Sequence, residues 1–535
     1  MATVTSLDSR KKKAIEAGAS STPAPVDPPA ARNMLRNLSP ADGEPLTAVP
    51  VTTANEVRGA MQRAKRAQTA WARMPIEERA ERILRFRDAI VDNADRLVDT
   101  LVRETGKPRN EALLHEVLVV ADLAGYFAHN AKRILSHQDI SLHFLVHRKS
   151  YVHYAPKGVI GVISPWNFPF AIPMGDVIPA LLAGNAVIVK PSEVTPLIAL
   201  EAKKIFDSTG LPEDLFQVIP GDGATGQALI EAGIQKLIFT GGVETGRRVA
   251  AACGAKLVPC VMELGGKAPL LALSDCDIER TARGIVYGGF CNSGQACISV
   301  ERVYAHRAIH DPLVRRIREL VGDLKQGDAS KSFIDIGAII FPKQIDVAEA
   351  LIADAVSKGA EIIAGGERVH RAGNYFQPTV LSECHHGMNV MREEIFGPIV
   401  PIQRVDSDEE AIALANDSHL GLNAYVFSKS RERALRVAEK IEAGSVVVND
   451  VMLNYGACET PFGGIKESGF GRVHGDDSLR EMCDKRHVNY GRMPMPSRDP
   501  LWFPYSSTSY KIFSKGLDVL FHGSGLVQRI AKRMP

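Results

Sequence analysis

Apolar residues recur with two different periods along this chain, and the period changes near residue 159. Ahead of that point the spacing is helical. Thr53-Ala54-Asn55-Glu56 has the form of a capping box, in which a threonine side chain and the acid three residues on satisfy each other's free N–H groups. Val57, Met61, Ala64 and Trp71 then fall on one helical face. A second, longer amphipathic helix is expected from about residue 75 to 101, with Ile83, Leu84, Ile90 and Leu97 inward and Arg, Asp and Glu on a solvated face. From residue 159 short apolar runs alternate with helical segments. Runs at 159–164, 186–190, 216–219, 236–240 and 257–262 read as strands, and 197–209 and 224–232 as helices between them. A second alternating block after Pro269 has candidate strands at 302–306, 360–364, 423–428 and 445–449. Continuous apolar strands separated by helices are buried on both faces, so the expected fold class is α/β with two doubly wound parallel sheets. Residues 141–154 break this scheme with partly alternating, β-rich sequence and no helix. They read equally as an arm pairing with another subunit or as an edge hairpin.

Composition narrows the class. At 535 residues, 45% hydrophobic and 24% charged, the chain suits two or three globular domains. A formal net charge of +2 argues against a general nucleic-acid binder. None of the eight cysteines forms a CxxC pair, so neither a zinc framework nor a disulfide scaffold is indicated, and reduced thiols in the cytoplasm are expected. Cys384-His385-His386 suggests a metal only superficially, because adjacent side chains on a strand point to opposite faces; no metal site is expected. Residues 17–32 are rich in Ala, Pro and Ser and read as part of a disordered lead-in over 1–36. No secretory signal and no run of 18 apolar residues is visible.

The candidate chemistry centres on Cys297, in Cys291-Asn292-Ser293-Gly294-Gln295-Ala296-Cys297, and on Glu263, 34 residues upstream in Glu263-Leu264-Gly265-Gly266-Lys267. A thiol and a carboxylate on two glycine-rich turns suit a covalent mechanism in which the thiolate attacks an electrophile and the carboxylate then activates water. The active site is expected in a cleft between the two α/β blocks. Two strand-to-helix turns compete for a dinucleotide. Gly221-Asp222-Gly223-Ala224-Thr225-Gly226 is a literal GxGxxG, and Thr240-Gly241-Gly242-Val243-Glu244-Thr245-Gly246 is a second glycine turn. Either helix N-terminus can receive a pyrophosphate, and the spacing alone does not choose.

Seven strings, taken in order, resemble the aldehyde dehydrogenase superfamily from about Asn37 to Tyr490. They are Pro165-Trp166-Asn167-Phe168-Pro169, Lys190-Pro191-Ser192-Glu193, Phe239-Thr240-Gly241, Glu263-Leu264-Gly265-Gly266-Lys267, Gly294-Gln295-Ala296-Cys297, Glu393-Glu394-Ile395-Phe396-Gly397-Pro398 and Pro461-Phe462-Gly463-Gly464. The resemblance implies an NAD(P)-dependent enzyme that oxidises an aldehyde to the acid. It implies Cys297 as nucleophile, the Asn167 amide and the Cys297 N–H as donors to the oxyanion, and Glu263 as the base that hydrolyses the thioester. It places the dinucleotide phosphates at Thr240, Gly241, Gly242 and Gly246, and the adenosine ribose near Lys190 and Glu193. Trp166, Leu264, Glu394 and Phe396 complete the cofactor set. A carboxylate at Glu193 favours NAD over NADP, and Lys190 tempers that preference. Glu263 argues against the resembling members that pass the acyl group to coenzyme A, and the intact Cys297, Glu263 and Asn167 argue against a non-catalytic scaffold.

The implied domains are a Rossmann-like cofactor-binding domain over 37–137 and 155–264, an oligomerisation arm over 138–154 and 484–492, and a catalytic domain over 265–483. The arm implies a homodimer or homotetramer. Val473 stands where some members of the family carry a glutamate after Gly471-Arg472, so no second acid is expected there. The extension 493–535 places Tyr510, Phe513, Leu517, Leu520 and Phe521 on one helical face beside Lys511, Lys515, Arg529, Lys532 and Arg533. Such a basic amphipathic segment, over 508–533, suits a peripheral membrane contact, and its aromatic residues suggest an apolar or long-chain aldehyde.

Overall fold

The computed structural model describes residues 33–143, 145, 147–494, 497, 499 and 501–522. Two large sheets carry the fold. The first runs Gly469–Phe470, Cys260–Glu263, Lys236–Thr240, Val159–Ile163, Ala186–Lys190, Phe216–Val218. The second runs Glu361–Ala364, Thr379–Ser382, Ile399–Val405, Arg302–His306, Pro269–Ala272, Asn423–Phe427, Ser445–Val448. Pairing is parallel except at one edge of each, where Gly469 and Phe470 run antiparallel to Glu263 and Met262, and Glu361–Ala364 antiparallel to Thr379–Ser382. Both sheets are therefore mixed rather than wholly parallel, the short returning strand being free to reverse because it needs no helical crossover.

The strands Val159–Ile163 and Ala186–Lys190 are buried along their whole length, as their unbroken apolar sequence requires. In the first sheet the order reverses beside Val159–Ile163, which pairs with Ala186–Lys190 on one side and Lys236–Thr240 on the other. The carboxyl ends of these strands lead into the Trp166-Asn167 loop and the Thr240 glycine turn, the usual place for a ligand in an open α/β sheet.

The helical N-terminal region follows the sequence with one change. Thr53 and Glu56 form the reciprocal capping box ahead of the helix Ala54–Trp71. The long second helix is two helices, Ile76–Asp92 and Ala94–Thr105, because Asn93 turns its side-chain amide back onto the Ala89 carbonyl at 2.8 Å and leaves the helical conformation. Gly106, in the left-handed region at φ 71°, and Pro108 then stop the second. A π-helical segment, Leu113–Leu118, interrupts the next helix before it resumes as Val119–Leu135. The span Arg109–Leu135 is the one helix among the described residues long and apolar enough to cross a membrane, and it is a core helix, with Val120, Leu123, Phe127 and Ala131 buried.

Three strands at Pro269–Ala272, Thr379–Ser382 and Ile399–Val405 lay hidden from the sequence pattern, since Pro269, Pro378, Pro398 and Pro401 punctuate them like turns. A third, antiparallel sheet joins Cys483–Gly491, Arg148–Pro156 and Gln138–Ile140, with Cys483 opposite Pro156 and Gly491 opposite Arg148. Residues 33–36, expected in the lead-in, are part of the fold, Met34–Leu35 pairing with Val49–Pro50. In the extension, Ser507–Phe521 is helical, and its described side chains are exposed on nearly every side, not on one face alone. The Leu520 side chain, Arg529, Lys532 and Arg533 and the segment 1–32 lie outside the described residues.

Candidate active site

Cys297 is positioned by an unusual turn. Asn292, Ser293 and Gly294 lie consecutively in the left-handed region, at φ 50°, 56° and 73°. Such a run is costly and persists only where its surroundings fix it. The Asn292 N–H donates to Glu111 at 2.9 Å, and its side-chain amide donates to the carbonyls of Asn167 and Gln295 at 3.0 and 3.1 Å. Ser293 donates to the Gly337 carbonyl at 3.0 Å, and Gln295 bridges Asn292 and the Ile340 N–H. Across from it, a Cβ on Gly266 would lie 2.1 Å from the Cys297 carbonyl, so only glycine lets the Glu263 turn come this close.

The Asn167 loop is held by residues that sequence reasoning missed. Lys107 and Glu116 are fully buried and paired, with Lys107 Nζ also donating to the Asn167 carbonyl at 3.0 Å. The other Glu116 oxygen accepts from the Phe170 and Ala171 N–H groups at 3.0 and 2.8 Å, capping the buried helix Ala171–Leu182. The Asn167 amide donates to the Gln295 carbonyl at 3.1 Å, which brings it into the Cys297 turn. A second buried pair, Lys267–Glu301 at 3.1 Å, performs the same service for Glu394 and Phe396: Glu301 accepts from Ile395 and Phe396 N–H at 2.9 and 2.8 Å. Both pairs sit too far apart in sequence from what they hold to be read as motifs.

Three cavities meet at Cys297. One of about 340 Å³ brings together Trp166, Asn167, Thr240, Gly241, Gly242, Leu264, Glu394, Phe396 and Cys297. Trp166 stands edge-on to Phe396 at 5.2 Å. Its helix, Val243–Ala255, begins at Gly242 with no side-chain cap, and a Cβ on Gly242 would meet nothing within 4 Å. The literal GxGxxG differs: Asp222 turns its own carboxylate onto the Ala224 and Thr225 N–H groups at 2.9 and 3.4 Å. One helix N-terminus is thus already occupied by a carboxylate, and the other carries no side-chain cap. Gly246 gives Leu264 room, since a Cβ there would lie 2.4 Å from its side chain. Lys190 and Glu193 do not line this cavity; Lys190 Nζ, buried, donates to Gly221 O at 3.0 Å and pairs with Glu193 at 3.4 Å beside the GxGxxG turn.

A larger cavity, about 630 Å³, also reaches Cys297, past Leu114, Leu118, Phe168, Met452, Leu453 and Phe462. Leu114, His115 and Leu118 of the π-helical segment line it. The third, about 20 Å³, joins Cys297 to Glu263, Asp176, Thr240 and Tyr455. Glu263 is buried, and among the described residues neither of its carboxyl oxygens has a hydrogen-bond partner. Burial, then the charge of Asp176, raises its pKa well above 4.5, with Arg472 opposing. Burial pushes the Cys297 thiol up to about 12, with Glu394 and Glu263 adding to the effect. The resting site therefore favours a neutral thiol and a protonated acid.

The Aldehyde dehydrogenase family model matches residues 28–488. The chain is 39% identical over 494 residues to the 4,4'-diapolycopene aldehyde oxidase of a Methylomonas species, covering 92% of each chain. It superposes with a TM-score of 0.83 and 33% identity on the succinate-semialdehyde dehydrogenase of Burkholderia pseudomallei, and equally on an E. coli NADP-dependent enzyme; each match covers 86% of this chain and 95% of the other. The fold, the order of the strings and these relatives agree: the chain belongs to the aldehyde dehydrogenase family and is an NAD(P)-dependent enzyme that oxidises aldehydes.

Proposed function

We propose that the substrate is a neutral, apolar, extended aldehyde, oxidised through a thioester on Cys297 that water activated by Glu263 hydrolyses. The observation that carries this is the lining of the larger cavity. Its walls are Leu, Ile, Val, Met, Phe and Tyr, and the only carboxylate or cation among the lining residues is Asp122. His115, also on the wall, is held near pKa 4 by burial and then by the Lys107 charge, so it is neutral at physiological pH. A substrate carboxylate would meet no cation and would lose its hydration without compensation. That sets this chain apart from the succinate-semialdehyde relative and aligns it with the relative named for a diapolycopene aldehyde.

In this reading the thiolate adds to the carbonyl carbon while the Asn167 amide and the Cys297 N–H hold the oxyanion. A nicotinamide dinucleotide, when bound, accepts the hydride. Thr240, Gly241, Gly242 and Gly246 would hold its phosphates, Trp166, Leu264, Glu394 and Phe396 its nicotinamide end, and Lys190 and Glu193 its adenosine ribose. NAD is favoured over NADP, because the Glu193 carboxylate repels a 2′-phosphate while Lys190 is engaged with it.

The test is NADH formation across aliphatic aldehydes of two to sixteen carbons, aromatic aldehydes and succinic semialdehyde, with NAD and with NADP. The expected result is kcat/KM rising with chain length, NAD preferred, and succinic semialdehyde about 100-fold poorer than neutral aldehydes, as an uncompensated buried charge requires. A preference for succinic semialdehyde would overturn the reading.

The antiparallel sheet built on 138–154 and 484–492 serves, on this proposal, as the arm of a homodimer or homotetramer, and residues 37–137 with 155–264 and 265–483 as the cofactor and catalytic domains of a cytoplasmic enzyme. The extension supports a peripheral membrane contact over 508–533. Trp502, Phe503, Tyr505, Tyr510, Ile512 and Phe521 are all exposed, beside Lys511 and Lys515. Removing residues 500–535 is expected to abolish co-sedimentation with anionic vesicles. Unchanged sedimentation would assign the extension to contacts between subunits.

A further inference from the structure

The one carboxylate on the wall of the apolar cavity stands where that cavity opens to solvent. Of the lining residues, Leu114, Leu118, Asp122 and Leu453 are exposed, whereas Ile298, next to Cys297 in the chain, and Phe462 are buried. The exposed set marks the end through which an aldehyde passes from water. Asp122 lies in the first turn of the helix Val119–Leu135, one turn beyond Leu118 and on the same face. Among the described residues no lysine, arginine or histidine forms an ion pair with it. The lysine and arginine of its own helix, Lys132 and Arg133, stand about three turns further on and pair with Glu77 and Asp476. The hydrogen-bond partner of Asp122 is instead the Cys458 thiol, which donates to it at 3.5 Å and lies 3.7 Å from a Glu459 carboxylate oxygen. Burial, then the charges of Asp122 and Glu459, push that thiol up to about 12, so it is a neutral donor between two acids. Nothing in the immediate surroundings of Asp122 offsets a negative charge.

We propose that Asp122 is a specificity-determining residue for this reaction: its carboxylate, at the solvent end of the apolar cavity, repels aldehydes that carry a second, anionic carboxylate and lets neutral ones pass. This rests on the reading of an apolar substrate above and gives the exclusion of anions a second cause. An apolar wall refuses a charge of either sign, because the charge loses its hydration. Asp122 makes the refusal depend on sign, on ionic strength and on how far the substrate carboxylate stands from the aldehyde. The low-dielectric walls formed by Leu114, Leu118 and Leu453 keep its field concentrated in the opening. The repulsion acts on entry and binding, before the carbonyl reaches the thiol, and takes no part in the bonds made and broken at Cys297.

The test pairs straight-chain aldehydes of four to twelve carbons with their ω-carboxy counterparts of equal length, in wild type and in Asp122→Asn. The substitution keeps the size of the side chain and an oxygen to accept from Cys458, and removes the charge. The quantity read is the ratio of kcat/KM, neutral over carboxylate. At the length where this ratio is largest in wild type, it should fall about tenfold in the variant, between the values for one charge pair in water and at a protein surface. The fall should lie in the KM of the ω-carboxy aldehyde, since a repulsion at the opening is felt equally by bound substrate and transition state. In wild type, raising ionic strength from about 0.02 to about 0.5 M should narrow the ratio severalfold as the charges are screened, and in Asp122→Asn salt should narrow it less. A ratio unmoved by the substitution, a ratio unmoved by salt in wild type, or a change carried by kcat alone overturns the proposal. The apolar-substrate reading fails separately: a wild type that prefers ω-carboxy aldehydes at every length overturns that reading, while the response of the ratio to Asp122→Asn still decides the role of Asp122.

Discussion

At the scale of the residue, burial and two nearby acids hold the Cys297 thiol well above its ordinary pKa. Glu394 is the largest charged contributor to its raised pKa after burial, and Glu394 is itself pushed up to about 7 by burial and Glu301. The sign of the consequence is fixed. A group with a raised thiol pKa reacts as thiolate only at high pH, so alkylation of the free enzyme by iodoacetamide should still be rising above pH 10. Removing the Glu394 charge lowers the thiol pKa, so Glu394→Gln should speed alkylation at pH 8 by about tenfold, one unit of pKa. Equal rates in the two proteins would show that Glu394 does not act on Cys297 in the free enzyme. Cys297, Glu263 and Asn167 could be picked out as candidates in sequence because each sits in a short string with a glycine or proline nearby. Lys107, Glu116 and Glu301 could not, because burial and pairing across long separations give them their meaning.

At the scale of the element, turns do most of the positioning. Gly294 sits at φ 73°, and a Cβ there would lie 2.1 Å from the Gly397 carbonyl. Gly294→Ala should therefore destabilise the protein by about 2 kcal/mol or more in urea unfolding, from backbone strain plus overpacking, and abolish turnover with it. A stable and active variant would mean the left-handed run is not needed to present Cys297. The helix pattern of 54–71 and the strands from 159 to 240 could be read directly, since buried parallel strands are continuous apolar runs. Asn93 and the π-helical bulge at 113–118 could not, because neither changes the apolar period that announces a helix. The two glycine turns differ by one side chain. Asp222 caps its own helix, which a glycine pattern does not reveal.

At the scale of the molecule, the Glu263 and Cys297 turns are brought into contact by the apposition of the two mixed sheets, and two larger cavities both reach the thiol. The α/β class and the expectation of a cleft followed from alternation of strands and helices. The antiparallel edges did not, because a two-residue strand such as Gly469–Phe470 carries no pattern. The most direct test of the whole account is to trap the covalent step. Glu263→Gln protein is mixed with NAD and a long-chain aldehyde, then quenched and mapped by mass spectrometry. One equivalent of NADH and an acyl group on Cys297, with slow release, is the predicted result. NADH without acyl-Cys297, or turnover as fast as wild type, would contradict it.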